Sequence, residues 1–454
     1  MKDPNHDLPA GLCDWIEATG GGQITRLQRH VARREAWIVD VTAADGSVLE
    51  GFLRLDRNPV AGGSVSLRKE ARICEALMDT GVPAPRLLGW SEAHHAALFS
   101  RDGGRSDIDQ LDDKAQQRAI MEDFIRVIAR LHQLDLDDLG LDDILGERPQ
   151  SPQACALEDV DNQLSQYERF LSGYADPLLS YGVHWLRRFA PEDVARVSLV
   201  QGDTGPVNFM FTGNRVSVVV DWEWGHWGDP MEDLGNICVR EFWNPSGGLK
   251  GLFQLYEQES GLPYRRFSAQ YYRVQQNIRS MIPIHAACAH PPPGQSLAWY
   301  LCYRYLMDRS TCEALADAMD IEISPPEMPV SNQDPEPLTT FAVQSLKRDA
   351  LPRVSDTFAV SRIEDAVRLM EVTDRRRRFG AAIEATEAEE MAELLQTRVR
   401  GTRESTLALV EAVNEGRIDD EALIQYLARR AYRDEWLHSP VGELYPDRAW
   451  SPLD

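Results

Sequence analysis

Three side chains in the stretch QGDTGPVNFMFTGNRVSVVVD, residues 201–221, bring hard oxygen atoms together at short spacing: Asp203, Asn208 and Asp221. Asp203 shares its loop with Gly202, Gly205 and Pro206, a composition that excludes regular helix. Asn208 opens the apolar run NFMF and Asp221 closes the run RVSVVVD, and the turn TGN between the runs predicts a β-hairpin. At the open end of that hairpin an amide oxygen and a carboxylate are expected side by side. Mg²⁺ takes oxygen ligands of this kind from one or two side chains and fills its shell with water and substrate phosphates. With a second carboxylate on the approach, the set suits phosphoryl transfer.

The elements that must position these residues are legible around them. From Gly22 to about Leu55, β-branched and aromatic residues alternate with polar ones, and Asp45-Gly46 sits between two runs as a hairpin turn. The segment SVSLRKEARICEALMDTG has helical spacing with Gly81 as its stop, and RLLGWSEAHHAALFSRDGG predicts two further strands. Helical periodicity dominates 116–188 and returns over roughly 250–320, leaving the hairpin as an interruption among helices. The Pro-rich acidic stretch 323–340 is expected to be a linker to a last helical part.

Bulk properties bound the function class. A chain of 454 residues with 43% hydrophobic and 26% charged residues is long enough for two or three cores. Its formal charge of −24 argues against a nucleic-acid partner, which would require a basic face. No apolar stretch has the length of a membrane helix, and the N-terminus lacks a basic region followed by an apolar run, so neither a membrane nor a signal peptide is expected. The seven cysteines form no C-x-x-C pair and are expected to be reduced core residues of a cytoplasmic protein.

The spacing from Asp203 to Asn208, D-x-x-x-x-N, is that of the catalytic loop of protein kinases. Together with VVVDWEWGHWGDPMEDLGN, IARLHQLDL, FLRLD, RKEARICEAL and GVPAPRLLGW, it makes the chain resemble the aminoglycoside phosphotransferase and choline kinase-like superfamily. The resemblance covers about residues 20–320 and is nearest to a branch related to acyl-CoA dehydrogenase-associated kinase domains. The last helices, around TLALVEAVNEGRIDDEALIQYLARRAYRDEWLHSP, resemble an uncharacterised module found behind such kinases.

That resemblance implies an α+β, protein kinase-like two-lobe fold followed by a C-terminal helical domain. The expected parts are an N-lobe at 20–102, a helical C-lobe at 103–322, a linker at 323–340 and a helical domain at 341–454. It also implies an ATP- and Mg²⁺-dependent O-phosphotransferase whose partners are a nucleotide and a small-molecule hydroxyl acceptor. Asp203 would take the general-base position, Asn208 and Asp221 would hold Mg²⁺, Arg54 would meet the nucleotide phosphates, and Glu70 would pair with Arg54. Asp229 and Asp233 would brace the metal loop, and His132 would be a packed, hydrogen-bonding residue. The acceptor implied is a hydroxyacyl-CoA or hydroxy acid, with an aminoglycoside or other amino-alcohol as the alternative. A catalytically silent nucleotide-binding scaffold is the third reading.

Three features depart from the pattern or stand outside it. Relatives usually carry His before the Gly-Asp pair, where this chain has Gln201, whose amide can donate and accept comparable hydrogen bonds. The phosphate-covering loop is ambiguous between the glycines at 20–22, read as a flexible entry, and the basic turn RHVARRE. The run DRRRRFG at 374–380 is read as a solvated face, or as an anchor for the phosphates of a coenzyme A thioester.

Overall fold

The computed structural model describes residues 8–30, 35–56, 66–291, 296–397, 402–446, 448 and 450–453. Contacts divide the chain into two units, Met1–Cys155 with Glu192–Ala269 and Ser451–Asp454, and Ala156–Pro191 with Gln270–Trp450.

The first unit opens with helix α1 (Leu12–Gly20), then strands β1 (Gly22–His30), β2 (Ala36–Ala43) and β3 (Val48–Leu55), helix α2 (Leu67–Ala76), and strands β4 (Leu87–Ser91) and β5 (Ala96–Ser100). The five strands form one antiparallel sheet in the order β1-β2-β3-β5-β4. Period-two alternation gives the sheet its two faces. Trp37, Val39, Val41, Leu53, Leu55 and Leu98 are buried against Leu12 and Ile16 of α1. The glycines at 20–22 are no flexible entry. Gly20 ends α1, Gly21 takes the left-handed conformation at its C-cap, and a Cβ at Gly22 would lie 2.2 Å from the Thr42 carbonyl oxygen. The basic turn RHVARRE cannot be placed, because Val31–Arg34 lie outside the described residues.

Helices α3 (Lys114–Gln133), α4 (Leu136–Leu139) and α5 (Asp142–Leu145) follow, and the chain returns to this unit with β6 (Ser198–Val200), the hairpin β7 (Phe209–Thr212) and β8 (Arg215–Val219), and β9 (His226–Gly228), which pairs with β6. Helices α8 (Pro230–Trp243) and α9 (Leu252–Ser260) close it. The expected hairpin is present, with one change of register. A bulge between Met210 and Phe211 advances the pairing by one, so the carbonyl of Asn208 accepts from Val220 N–H at 2.9 Å and Asp221 stands one residue past that partner, where the register nearer the turn would have left it two. The hairpin is pinned from both sides, by Val219 N–H to the Pro83 carbonyl and by a two-bond bridge between Phe211 and Arg105.

The second unit is helical: α6 (Pro152–Leu171) from residue 156 on, α7 (Pro177–Arg188), most of α10 (Arg266–Ala289), α11 (Leu297–Met319), α12 (Pro337–Ser345), α13 (Thr357–Leu395), α14 (Thr402–Asn414), α15 (Asp420–Leu437) and α16 (Ser439–Gly442). This division cuts across the boundary expected at 323–340. Helices α11 and α15, on either side of that stretch, pack on each other, and Arg309 of α11 is paired with Glu435 of α15 at 3.1 Å. The basic run at 374–378 is engaged within the unit. Arg375 donates to the last carbonyls of α15 at Trp436 and Leu437, and Arg377 and Arg378 donate to residues 333 and 334. Among the described residues no helix is long and apolar enough to cross a membrane, and all seven cysteines are free thiols.

Candidate active site

Strand alternation that turns Leu53 and Leu55 into the core turns Arg54 to the opposite face of the sheet. Its cross-strand neighbours are Ala36 and Ala97, small residues beside a large guanidinium. Ser66 caps α2 by accepting from Lys69 N–H at 3.1 Å, and one turn into that helix Glu70 is buried. Arg54 Nη1 donates to Glu70 Oε1 at 2.6 Å, the pair anticipated from sequence. The same guanidinium reaches Asp221 Oδ1 at 3.4 Å and Glu223 Oε2 at 3.3 Å. One cation therefore serves three carboxylates. Glu223 was not singled out in the sequence, although its place two residues after Asp221 was the available signal.

The loop 201–208 is held by a buried carboxylate. Asp233, in the first turn of α8, accepts from the N–H groups of Gln201 and Gly202, both at 2.9 Å, from the Thr204 hydroxyl, and from His132 Nε2 at 3.0 Å. His132 is oriented in turn by the Tyr256 hydroxyl at 2.8 Å from Nδ1. Burial alone would raise the Asp233 pKa, but the hydrogen bonds from His132, Thr204 and the loop hold the carboxyl below its usual range. Asp229 caps α8, accepting from Met231 N–H at 3.0 Å. His132 is the packed, hydrogen-bonding residue expected, whereas Asp233 braces the loop 201–204 rather than the segment at Asp221, and Asp229 caps its own helix.

Gln201 joins the loop 201–208 to the segment at Val220 and Asp221. Its Nε2 donates to the carbonyls of Val220 and Asp221, each at 2.9 Å, while its Oε1 accepts from Asp203 N–H at 2.8 Å and from the Thr204 hydroxyl at 3.2 Å. The amide uses both of its hydrogens and doubly loads its oxygen. Backbone strain accompanies this arrangement. Val207, a β-branched residue, has φ 71°, and Asp221 has φ 61°, so the residues flanking the two loops sit in the left-handed region. Gly202, at φ 79°, could not carry a Cβ, which would lie 2.5 Å from the Trp224 carbonyl oxygen. Trp222 and Trp227 are buried packing residues.

Asp203 itself is partly exposed, with 23% of its side chain accessible. Asn208 Nδ2 donates to Asp203 Oδ2 at 2.8 Å and to its carbonyl at 2.7 Å. Arg240, on α8, donates from Nε to Oδ1 at 3.1 Å and from Nη2 to Oδ2. Arg240 was missed in the sequence. Its signal was periodicity, since Asp233, Ile237 and Arg240 follow i, i+4, i+7 along one face of α8.

A family model described as "Phosphotransferase enzyme family" matches residues 29–268. Acyl-CoA dehydrogenase family member 11 of Rattus norvegicus is 25% identical over 229 residues, which are 47% of this chain and 28% of that protein. Acyl-CoA dehydrogenase family member 10 of Mus musculus is 25% identical over 188 residues, 38% of this chain and 17% of that one. The match thus spans less than a third of either relative. Among solved structures, a provisionally assigned aminoglycoside phosphotransferase from Ralstonia eutropha superposes with TM-score 0.53 at 21% identity, covering 67% of this chain and 95% of that one. Choline kinase of Streptococcus pneumoniae gives TM-score 0.46 at 11% identity, covering 68% and 98%. The Ralstonia likeness establishes the expected α+β, protein kinase-like fold.

Proposed function

The chain belongs to the phosphotransferase enzyme family, whose model spans residues 29–268, and from that membership we propose that it transfers the terminal phosphoryl group of ATP, with Mg²⁺, to a hydroxyl of a small molecule. The observation that carries the reading is the disposition of Asn208. Its amide nitrogen is committed to Asp203, so its amide oxygen is the atom left for a hard cation, and the Asp221 side chain, one residue past the partner of Asn208 at the open end of the same hairpin, is 44% exposed. Among the described residues no three His, Cys, Asp or Glu side chains converge to hold a metal by themselves. That fits an ion which takes few protein oxygens and completes its shell from phosphates and water. When bound, Mg²⁺ would offset charge on the phosphates.

The chain's own residues supply the rest. Arg54, fixed by Glu70 and Glu223, would present its guanidinium to the nucleotide phosphates. Asp203 would accept a hydrogen bond from the acceptor hydroxyl, orient it for in-line attack and take its proton. Gln201 keeps the loops bearing Asp203 and Asp221 in register through its four hydrogen bonds. For the acceptor we propose a hydroxyacyl-CoA or a related hydroxy acid, supported by the alignment of proteins named for acyl-CoA dehydrogenase with this region.

The test is acceptor-dependent ADP release from Mg-ATP with panels of hydroxyacyl-CoAs, hydroxy acids and aminoglycosides. Turnover is expected with the first two panels, and Asp203→Asn should lower it by about 10² to 10⁴-fold. Turnover confined to aminoglycosides reassigns the acceptor. A chain that neither turns over any panel nor gains thermal stability from Mg-ATP is not a phosphotransferase of this kind.

A further inference from the structure

Resting on that reading of Asp203, we infer that Arg240 is the positioning residue that selects which oxygen of Asp203 meets the acceptor hydroxyl. An ionised carboxylate offers about four lone-pair directions. On Oδ2 two are occupied, by Asn208 Nδ2 at 2.8 Å and by Arg240 Nη2, whereas Oδ1 receives Arg240 Nε alone, at 3.1 Å. The remaining direction on Oδ1 is the one open to a hydroxyl. The two-pronged contact fixes the carboxylate plane as well as its position, which a single point charge cannot do.

A second observation shows that the backbone is shaped for this clasp. Gly205 has φ 137°, and a Cβ there would lie 2.7 Å from Arg240 Cβ and 3.0 Å from its Cγ. The arginine stem thus lies against the catalytic loop at a point where only glycine leaves room. The same face of α8 carries Asp233, which holds Gln201, Gly202 and Thr204. Loop and base are therefore set by one helix. Arg240 also places a positive charge beside Asp203, which offsets the repulsion between that carboxylate and an arriving phosphoryl group.

Arg240→Ala and Arg240→Lys, compared with the parent and Asp203→Asn, test the assignment by Mg-ATP turnover with 3-hydroxybutyryl-CoA and with the hydroxy-acid panel. In Arg240→Ala, kcat should fall about 10 to 100-fold, as for a misplaced reacting group, with acceptor KM within about threefold and stabilisation by Mg-ADP retained. Methylguanidinium in the buffer should restore part of that loss, and none in Asp203→Asn. Arg240→Lys should stay impaired, because an ammonium cannot bridge both oxygens, and it decides the matter if the alanine variant does not fold. Parent-like kcat in a folded Arg240 variant overturns the inference, as does loss of Mg-ADP stabilisation together with kcat. If Asp203→Asn also keeps the parent kcat, the role given to Asp203 falls instead. A parent that turns over no acceptor removes the reading beneath both.

Discussion

Asp233→Asn is the substitution for which the geometry gives the clearest number. The carboxylate is fully buried and receives four donors, two on each oxygen: Gln201 N–H and His132 on Oδ2, Gly202 N–H and the Thr204 hydroxyl on Oδ1. An asparagine of the same shape replaces one oxygen by an NH₂ group. The Thr204 hydroxyl can rotate and His132 can exchange tautomers, but the backbone N–H of Gln201 or of Gly202 must then face another donor. One orphaned buried N–H costs about 1–3 kcal/mol. The bonds that remain lose the charge that strengthened them, which brings the total to about 3–5 kcal/mol, the range for removing one partner of a buried pair. For a folded body of this size that is a fall in Tm of roughly 6–20 °C. Differential scanning calorimetry reads it directly, and phosphoryl transfer should fall with it because the loop bearing Asp203 loses its anchor. A Tm within about 2 °C of the parent, with turnover intact, would refute the claim that Asp233 holds the loop. The depressed pKa adds a direction. A carboxyl whose folded pKa lies below its unfolded value of about 3.9 contributes fully above that pH and loses its contribution as the pH falls beneath it. The parent should therefore show an acid limb below about pH 4 that Asp233→Asn lacks.

Substitutions at three further positions probe separate parts of the structure. Gln201→Leu removes two hydrogen bonds to the carbonyls of Val220 and Asp221 and two within the loop 201–208 and should lower both Tm and turnover, whereas Gln201→His should keep at least a tenth of the parent activity, about 1.4 kcal/mol or less in barrier height; equal loss in the two variants would show that hydrogen bonding is not what the position supplies. Arg54→Met takes away the cation shared by Glu70, Asp221 and Glu223 and should weaken Mg-ATP binding by about 10 to 100-fold in titration calorimetry; unchanged affinity would remove Arg54 from the nucleotide site. Burial, with Asp434 beside it, pushes the Glu387 carboxyl up to about 7, so the folded chain binds this proton more tightly than the unfolded chain, and stability should decline as pH rises from about 4.3 towards 7. Glu387→Gln should flatten that decline in Tm measured against pH, and an identical profile in parent and variant would refute the assignment.

Local signals in the chain reached far, and their limits are physical. The turn at Asp45-Gly46, the helical spacing after Ser66, the hairpin after Asn208 and the spacing of Asp203, Asn208 and Asp221 are all written within a few residues of one another, where composition and period speak plainly. What escaped depends on distance along the chain. His132 meets Asp233 across 101 positions, and Arg240 meets Asp203 across 37, pairings that no window of periodicity contains. The one-step offset of Asp221 from the partner of Asn208, which the hairpin bulge reduces from two, is a matter of register, which alternation leaves free by one residue where strands are short. Helix α1 was overlooked because its nine residues are flanked by glycines that read as an entry loop. The grouping of α11 with α15 across a Pro-rich stretch was hidden because linker composition reports on the backbone of the segment itself, not on what its flanks bury.

The Gln201 amide bears on how the enzyme should respond to its surroundings. An imidazole in that position would gain a proton near pH 6.5 and exchange an acceptor for a donor, so that the seam between the two loops would come apart in mild acid. A carboxamide has no proton to gain over that interval, and its two donated and two accepted bonds stay as they are. The joint between the loops carrying Asp203 and Asp221 is in this sense blind to acidity from neutrality down to about pH 5, and any dependence of turnover on pH in that interval originates at other groups.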